Sequence, residues 1–89
     1  MLVLSRALGE SIIVSDRFQA TVAVIGTDYV DLGVIELNGD RRGVVTLNEH
    51  ELRPIVGGVR GILIRHKQDG VRLGFEFEDG VTIQRAELI

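Results

Sequence analysis

The chain of 89 residues has no cysteine, so it can form neither disulfides nor thiolate metal sites, and a reducing compartment suits it. It has no apolar run of bilayer-spanning length and no basic segment followed by a sustained hydrophobic stretch. Neither a membrane span nor a secretory signal is therefore expected, and the cytoplasm is the expected location. Also missing are a His-x-x-x-His spacing, a serine placed with His50 or His66, and a G-x-G-x-x-G opening a helix. Each absence removes a chemistry, metal-assisted, nucleophilic or dinucleotide-dependent, so no catalytic residue, metal or cofactor is expected and the chain reads as a non-enzyme. Excess positive charge is lacking too. The net charge is −3, which argues against holding nucleic acid by bulk electrostatics.

What is present is apolar and alternating. Hydrophobic residues make up 45% and charged residues 26%, the proportions of a globular chain, and the length allows one core and one domain, 1–89. Nine of the ten basic residues are Arg, the planar cation suited to phosphates and base edges, so any nucleic-acid site must be local. Residues 1–58 hold five basic and eight acidic residues (5 − 8 = −3), and residues 59–89 hold five of each (net 0).

Met1–Val14, MLVLSRALGESIIV, predicts an opening β-hairpin broken at Leu8-Gly9-Glu10. Phe18–Ile25 and Tyr29–Glu36 alternate as a strand pair, and Asn38-Gly39 predicts a tight turn into Val44–Leu47. Asn48 is placed to cap a short helix closed by Pro54 and Gly57-Gly58. Val59–Arg65, Val71–Glu78 and Val81–Arg85 read as the remaining strands. About eight short strands and one short helix define an all-β fold of the barrel or sandwich type.

The sequence also repeats itself. Val30-Asp31-Leu32-Gly33 recurs as Val71-Arg72-Leu73-Gly74, and Val45–Leu52 recurs as Val81–Leu88. The chain divides into an opening hairpin (1–14), a first copy (about 18–56) and a second copy (about 59–89). From Gly33 to Val45 the first copy advances twelve positions and from Gly74 to Val81 the second advances seven (45 − 33 = 12 against 81 − 74 = 7), so the first copy has five more residues there, the excess lying in LNGDRRG.

MLVLSRALGESIIVSD, the V-x-L-G strand and the V-T-I-x-R-x-E-L ending resemble the carbon storage regulator (CsrA/RsmA) family of small bacterial translational regulators. Its members bind GGA-containing messenger-RNA leaders. The resemblance runs without a gap from Met1 to Gly33 and resumes over Val71–Leu88, with a duplicated second half between. It implies intertwined homodimers in which the first strand of one subunit lies beside the last strand of the other, with RNA, not DNA, across that junction. Carried over by position, the RNA contacts are Leu4, Ser5 and Arg6 on the first strand and Ile83, Gln84 and Arg85 on the last. Arg85 falls where the family has its most important RNA-binding arginine, and the first copy has Glu49 there.

Two cations usual in the family are replaced, by Ala7 and by Gln84. The resemblance implies a post-transcriptional regulator whose partners are an mRNA leader, a second subunit and a protein antagonist. The alternative is a scaffold of the same kind that binds RNA weakly or not at all and meets a protein partner through its sheet edge. The duplication opens a second route for the first strand, since the second copy could fold back in the same chain and supply its partner. Arg41-Arg42 and Arg65-His66-Lys67 are basic clusters assigned to turns, where charge is ordinary.

Overall fold

A computed structural model describes residues Met1–Leu88; Ile89, the last residue of the second repeat copy, lies outside the described residues. Nine strands run in order as β1 (Leu2–Arg6), β2 (Ser11–Val14), β3 (Phe18–Ile25), β4 (Tyr29–Glu36), β5 (Arg42–Asn48), β6 (Arg53–Val56), β7 (Val59–Lys67), β8 (Gly70–Phe77) and β9 (Ile83–Arg85), followed by a single 3-10 turn, Ala86–Leu88. They form a four-stranded sheet, β1-β8-β7-β6, and a five-stranded sheet, β5-β4-β3-β2-β9, with every neighbouring pair antiparallel. The all-β expectation holds.

The core lies between the sheets and comes from the alternating positions. Phe18, Ala20 and Val22 of β3 and Val30, Leu32 and Val34 of β4 meet Leu63 of β7 and Val71, Leu73 and Phe75 of β8, all buried. Each such Leu, Val or Phe contributes roughly 1.5–3 kcal/mol by leaving water. The repeat is visible in three dimensions. Val30 and Leu32 occupy in β4 the buried positions that Val71 and Leu73 occupy in β8. The sheets are thus two versions of one plan, with β3 matching β7 and β4 matching β8.

Four expectations are corrected. The opening hairpin does not form, because β1 pairs with β8 (Ser5 opposite Arg72) while β2 pairs with β3 and β9, so the chain crosses between sheets at Ala7–Glu10. The first strand accordingly has its partner within the same chain, from the second repeat copy. The helix over Asn48–Val56 is absent. Asn48 Oδ1 does accept the backbone N–H of His50 and Glu51 in the manner of a cap, but the chain then enters β6. Pro54 disfavours helical backbone at Arg53, and Gly57-Gly58, at φ +60 and +82, is a tight turn joining β6 to β7. β6 is thus a ninth strand, and Arg53 lies on it.

The turn after β4 is longer than Asn38-Gly39 suggests. It closes through the Glu36 N–H donating to Arg41 O, and Gly39 does not adopt a positive φ. Finally, the third strands of the two repeat copies diverge. β5 stays beside β4, with Asp31 opposite Thr46, whereas β9 crosses to the other sheet and pairs with β2, with Arg85 opposite Ile12. β8 has its corresponding edge already filled by β1, so β5 takes on β4 the place that β1 takes on β8.

Candidate nucleic-acid interface

The six residues assigned to RNA contact gather at one corner, but they are not equivalent. β1 and β9 are edge strands of different sheets and do not pair with each other. Leu4 and Ile83 turn inward and pack against the core, so neither presents its side chain to a ligand. Gln84 and Arg85 are exposed on β9, opposite Ile13 and Ile12. Ser5 is on the outer face of the four-stranded sheet, where its hydroxyl accepts a hydrogen bond of 3.2 Å from Lys67 Nζ.

Arg6 is the largest departure. Its side chain is 6% exposed. Nη1 and Nη2 donate to the two carboxylate oxygens of Glu87 at 2.9 Å each, Nη1 also donates to Ser11 O at 3.1 Å, and Nε donates to Ser5 O at 2.7 Å. This hydrogen bond from Arg6 is the main reason that the Glu87 carboxyl is lowered to about 2, and Glu87 in turn raises the Arg6 guanidinium above its ordinary value. A planar guanidinium forked onto one carboxylate has no free edge for a phosphate or guanine. Arg6 fastens the end of β1 to the turn after β9, and so one sheet to the other.

Beside that fastening lies a row of cations that the family positions do not include. On the outer face, Arg72 of β8 is flanked by Ser5 of β1 and Arg65 of β7. A bulge between Leu63 and Arg65 shifts the strand register there. Lys67 reaches Ser5 from the end of β7, and among the described residues Arg65, Lys67 and Arg72 make no ion pair. Like charges directly opposite on neighbouring strands are destabilising unless an anion joins them. His66, between two of these cations, points away to Gly26 O at 2.6 Å, tying β7 to the turn after β3.

The matching corner of the five-stranded sheet has the opposite sign. There Asp31 stands where Arg72 stands, and it accepts a 2.6 Å hydrogen bond from Thr46 Oγ1, the counterpart of Ser5. Glu49 follows that strand. The two halves of the chain therefore offer one basic corner and one acidic corner. Position alone missed Arg72; the exchange of Asp31 for Arg72 between otherwise similar V-x-L-G segments was the available signal. No three His, Asp or Glu side chains converge into a cation-sized cluster among the described residues, and among them no helix is long and apolar enough to cross a membrane.

No family model, no curated protein and no solved structure matches this chain.

Proposed function

We propose that the protein is a cytoplasmic RNA-binding regulator that grips unpaired, GGA-containing segments of messenger-RNA leaders at the basic corner, without catalysing a reaction. The observation that carries this is the unneutralised row of Arg65 and Arg72 in register, with Lys67 at its end. Phosphate oxygens supply the anion that the row lacks, and Arg forks can also read guanine edges in a splayed loop. Arg85 and Gln84 on the adjoining edge provide a further cation and an amide, while Arg6 acts through its hold on Glu87. One chain offers one such corner, because Asp31 and Glu49 repel phosphate at its counterpart. The sequence resemblance to the carbon storage regulators selects the ligand to try.

The test is binding of a hairpin RNA with a GGA loop, compared with its CCA variant at fixed salt. Arg72→Ala costs about 1–3 kcal/mol and narrows the preference for GGA, as for other base-reading arginines. Arg53→Ala, on β6 at the opposite edge of the sheet, costs little. Equal binding of GGA and CCA loops refutes sequence recognition, and a folded Arg65→Ala/Arg72→Ala variant that binds as well as wild type refutes the site. A protein partner at the sheet edge then becomes the better account.

A further inference from the structure

The two sheets end in four edge strands, β1, β6, β5 and β9, and three of them are blunted. β6 is four residues long, carries Pro54 and shifts register beside it, β9 is three residues long, and β1 is tied at its end by Arg6 to Glu87. Short length, proline and bulges keep an edge from recruiting another chain. β5 has none of them. It runs seven residues, RGVVTLN, without a break in its pairing to β4, and Val44 at 69% is the most exposed large apolar side chain among the described residues.

The register fixes which groups this edge offers. The Glu36 N–H donates to Arg41 O, so in the alternating pattern of an antiparallel pair Gly43 and Val45 also turn their backbone groups to β4. The N–H and C=O of Arg42, Val44 and Thr46 then point away from it. Side chains alternate as well. Arg42, Val44 and Thr46 face outward with Ile35, Gly33 and Asp31, while Gly43 and Val45 face inward with Val34 and Leu32 of the core. At Gly43 the inner side is open, since a Cβ there would have nothing within 4 Å. The gap belongs to a crevice of about 170 Å³ between β5 and β6, walled by Phe18, Val34, Val45, Ile55 and Val56.

We propose that β5 receives an extended segment of another protein, antiparallel to it, with three successive residues that are apolar, aliphatic and acidic. The first pairs with the bare N–H and C=O of Val44 and lies against its side chain on the outer face. The next, opposite Gly43, drops its side chain into the crevice. The third stands opposite Arg42, whose guanidinium makes no ion pair among the described residues. Glu36 does not compete for it, because Glu36 lies opposite Phe18 on the inner face and folds over Gly39. In strand addition of this kind the main chain supplies affinity and the alternate side chains supply specificity. A second copy is a poorer occupant, since β5 contains no acidic residue to set against Arg42. The edge lies across the five-stranded sheet from β9, and the proposal does not rest on RNA binding.

The test is an NMR titration of the isotope-labelled chain with a blocked peptide reading threonine, alanine, valine, leucine, glutamate, up to about 1 mM. Amide resonances of Arg42–Thr46 should move while those of Arg65 and Arg72 stay in place. Methylating the peptide nitrogen of the valine should abolish binding, and leucine exchanged for glycine should weaken it about tenfold. Gly43→Val, which has room for its Cβ, fills the crevice from within and should erase that preference for leucine. Arg42→Glu should weaken the parent peptide several-fold and bind as well as wild type does once the peptide glutamate is replaced by lysine.

No movement at about 1 mM overturns the proposal. So does a methylated peptide that binds like its parent, or a set of shifts centred away from β5. A crevice preference that survives in folded Gly43→Val, or a charge exchange that fails to restore affinity, overturns the assignment of the side chains. Resonances of β5 that move on dilution without peptide, together with a mass above 9.8 kDa, give the edge to a second copy and overturn it as well.

Discussion

Replacing Arg6 by Ala tests what the guanidinium at the corner is for. In the folded chain it donates four hydrogen bonds, to both oxygens of Glu87 and to the carbonyls of Ser5 and Ser11. A hydrogen bond to a charged partner is worth about 1.5–3 kcal/mol, and four bonds sharing one guanidinium do not add, so a total loss of about 2–4 kcal/mol is expected. At about 4–8 °C per kcal/mol for a domain of this size, the melting temperature falls by roughly 10–30 °C. The assay is thermal denaturation followed by circular dichroism at neutral pH. A variant melting within a couple of degrees of wild type would refute the fastening role.

The same pair has a pH signature. Glu87 titrates at about 2 when folded, against 4.5 for a free carboxyl, so the stability it contributes is complete above the unfolded value and drains away as the pH falls toward 2. Glu87→Gln should flatten the acid limb of the stability profile over that window. A profile unchanged by the substitution would mean that Arg6 finds its partner elsewhere.

Other substitutions separate backbone from side-chain crowding. A Cβ at Gly70 would run into the carbonyl oxygen of Arg6 and come within 3.0 Å of Ala7 Cα, so Gly70→Ala should disturb the β1–β8 seam and lower the melting temperature. A Cβ at Gly74 meets only the ends of the Met1, Ile64 and Ile62 side chains, so Gly74→Ala should melt close to wild type. Leu63→Ala, at 1% exposure, should cost about 2–5 kcal/mol in chemical denaturation. Pro54→Thr restores an N–H on the open side of the edge strand β6, and light scattering on storage should then report more association by strand addition.

Alternation made the strands legible. Tyr29–Glu36 reads as a strand from Val30, Leu32 and Val34 alone, and those residues are buried in β4. The Asn48–Gly58 segment was harder, because Gly57-Gly58 between Val56 and Val59 fits either the end of a helix or a two-residue hairpin turn. Its positive φ values decide for the turn, yet they depend on β7 being there to pair. Pairing across the chain was the least legible part. Leu2 and Leu4 demand a neighbour, but nothing local distinguishes β2 from β8 as that neighbour, and only the repeat suggests that the second copy can supply it.

At the corner, the sequence places Ser5, Gln84 and Arg85 where they stay at the surface. It is blind to the fate of Arg6, since burial of a guanidinium depends on Glu87 arriving from 81 residues away. Arg72 was hidden for the opposite reason. Its pairing with Arg65 on the next strand appears only once β7 and β8 are in register.

The seam between β1 and β8 also sets the order in which the molecule can assemble. Leu2–Arg6 leave the ribosome well before Val71–Phe75, the strand they pair with, and β2 waits still longer for β9, its second neighbour beside β3. Until then β3, β4 and β5 can form their local meander, while the chain's first strand remains an apolar ribbon with both edges bare. Closing so long a loop is an entropic cost that falls before its contacts reward it, which slows folding in proteins of high contact order. A nascent chain arrested before residue 70 should therefore hold a half-built sheet with the strand Leu2–Arg6 exposed to whatever chaperone meets it.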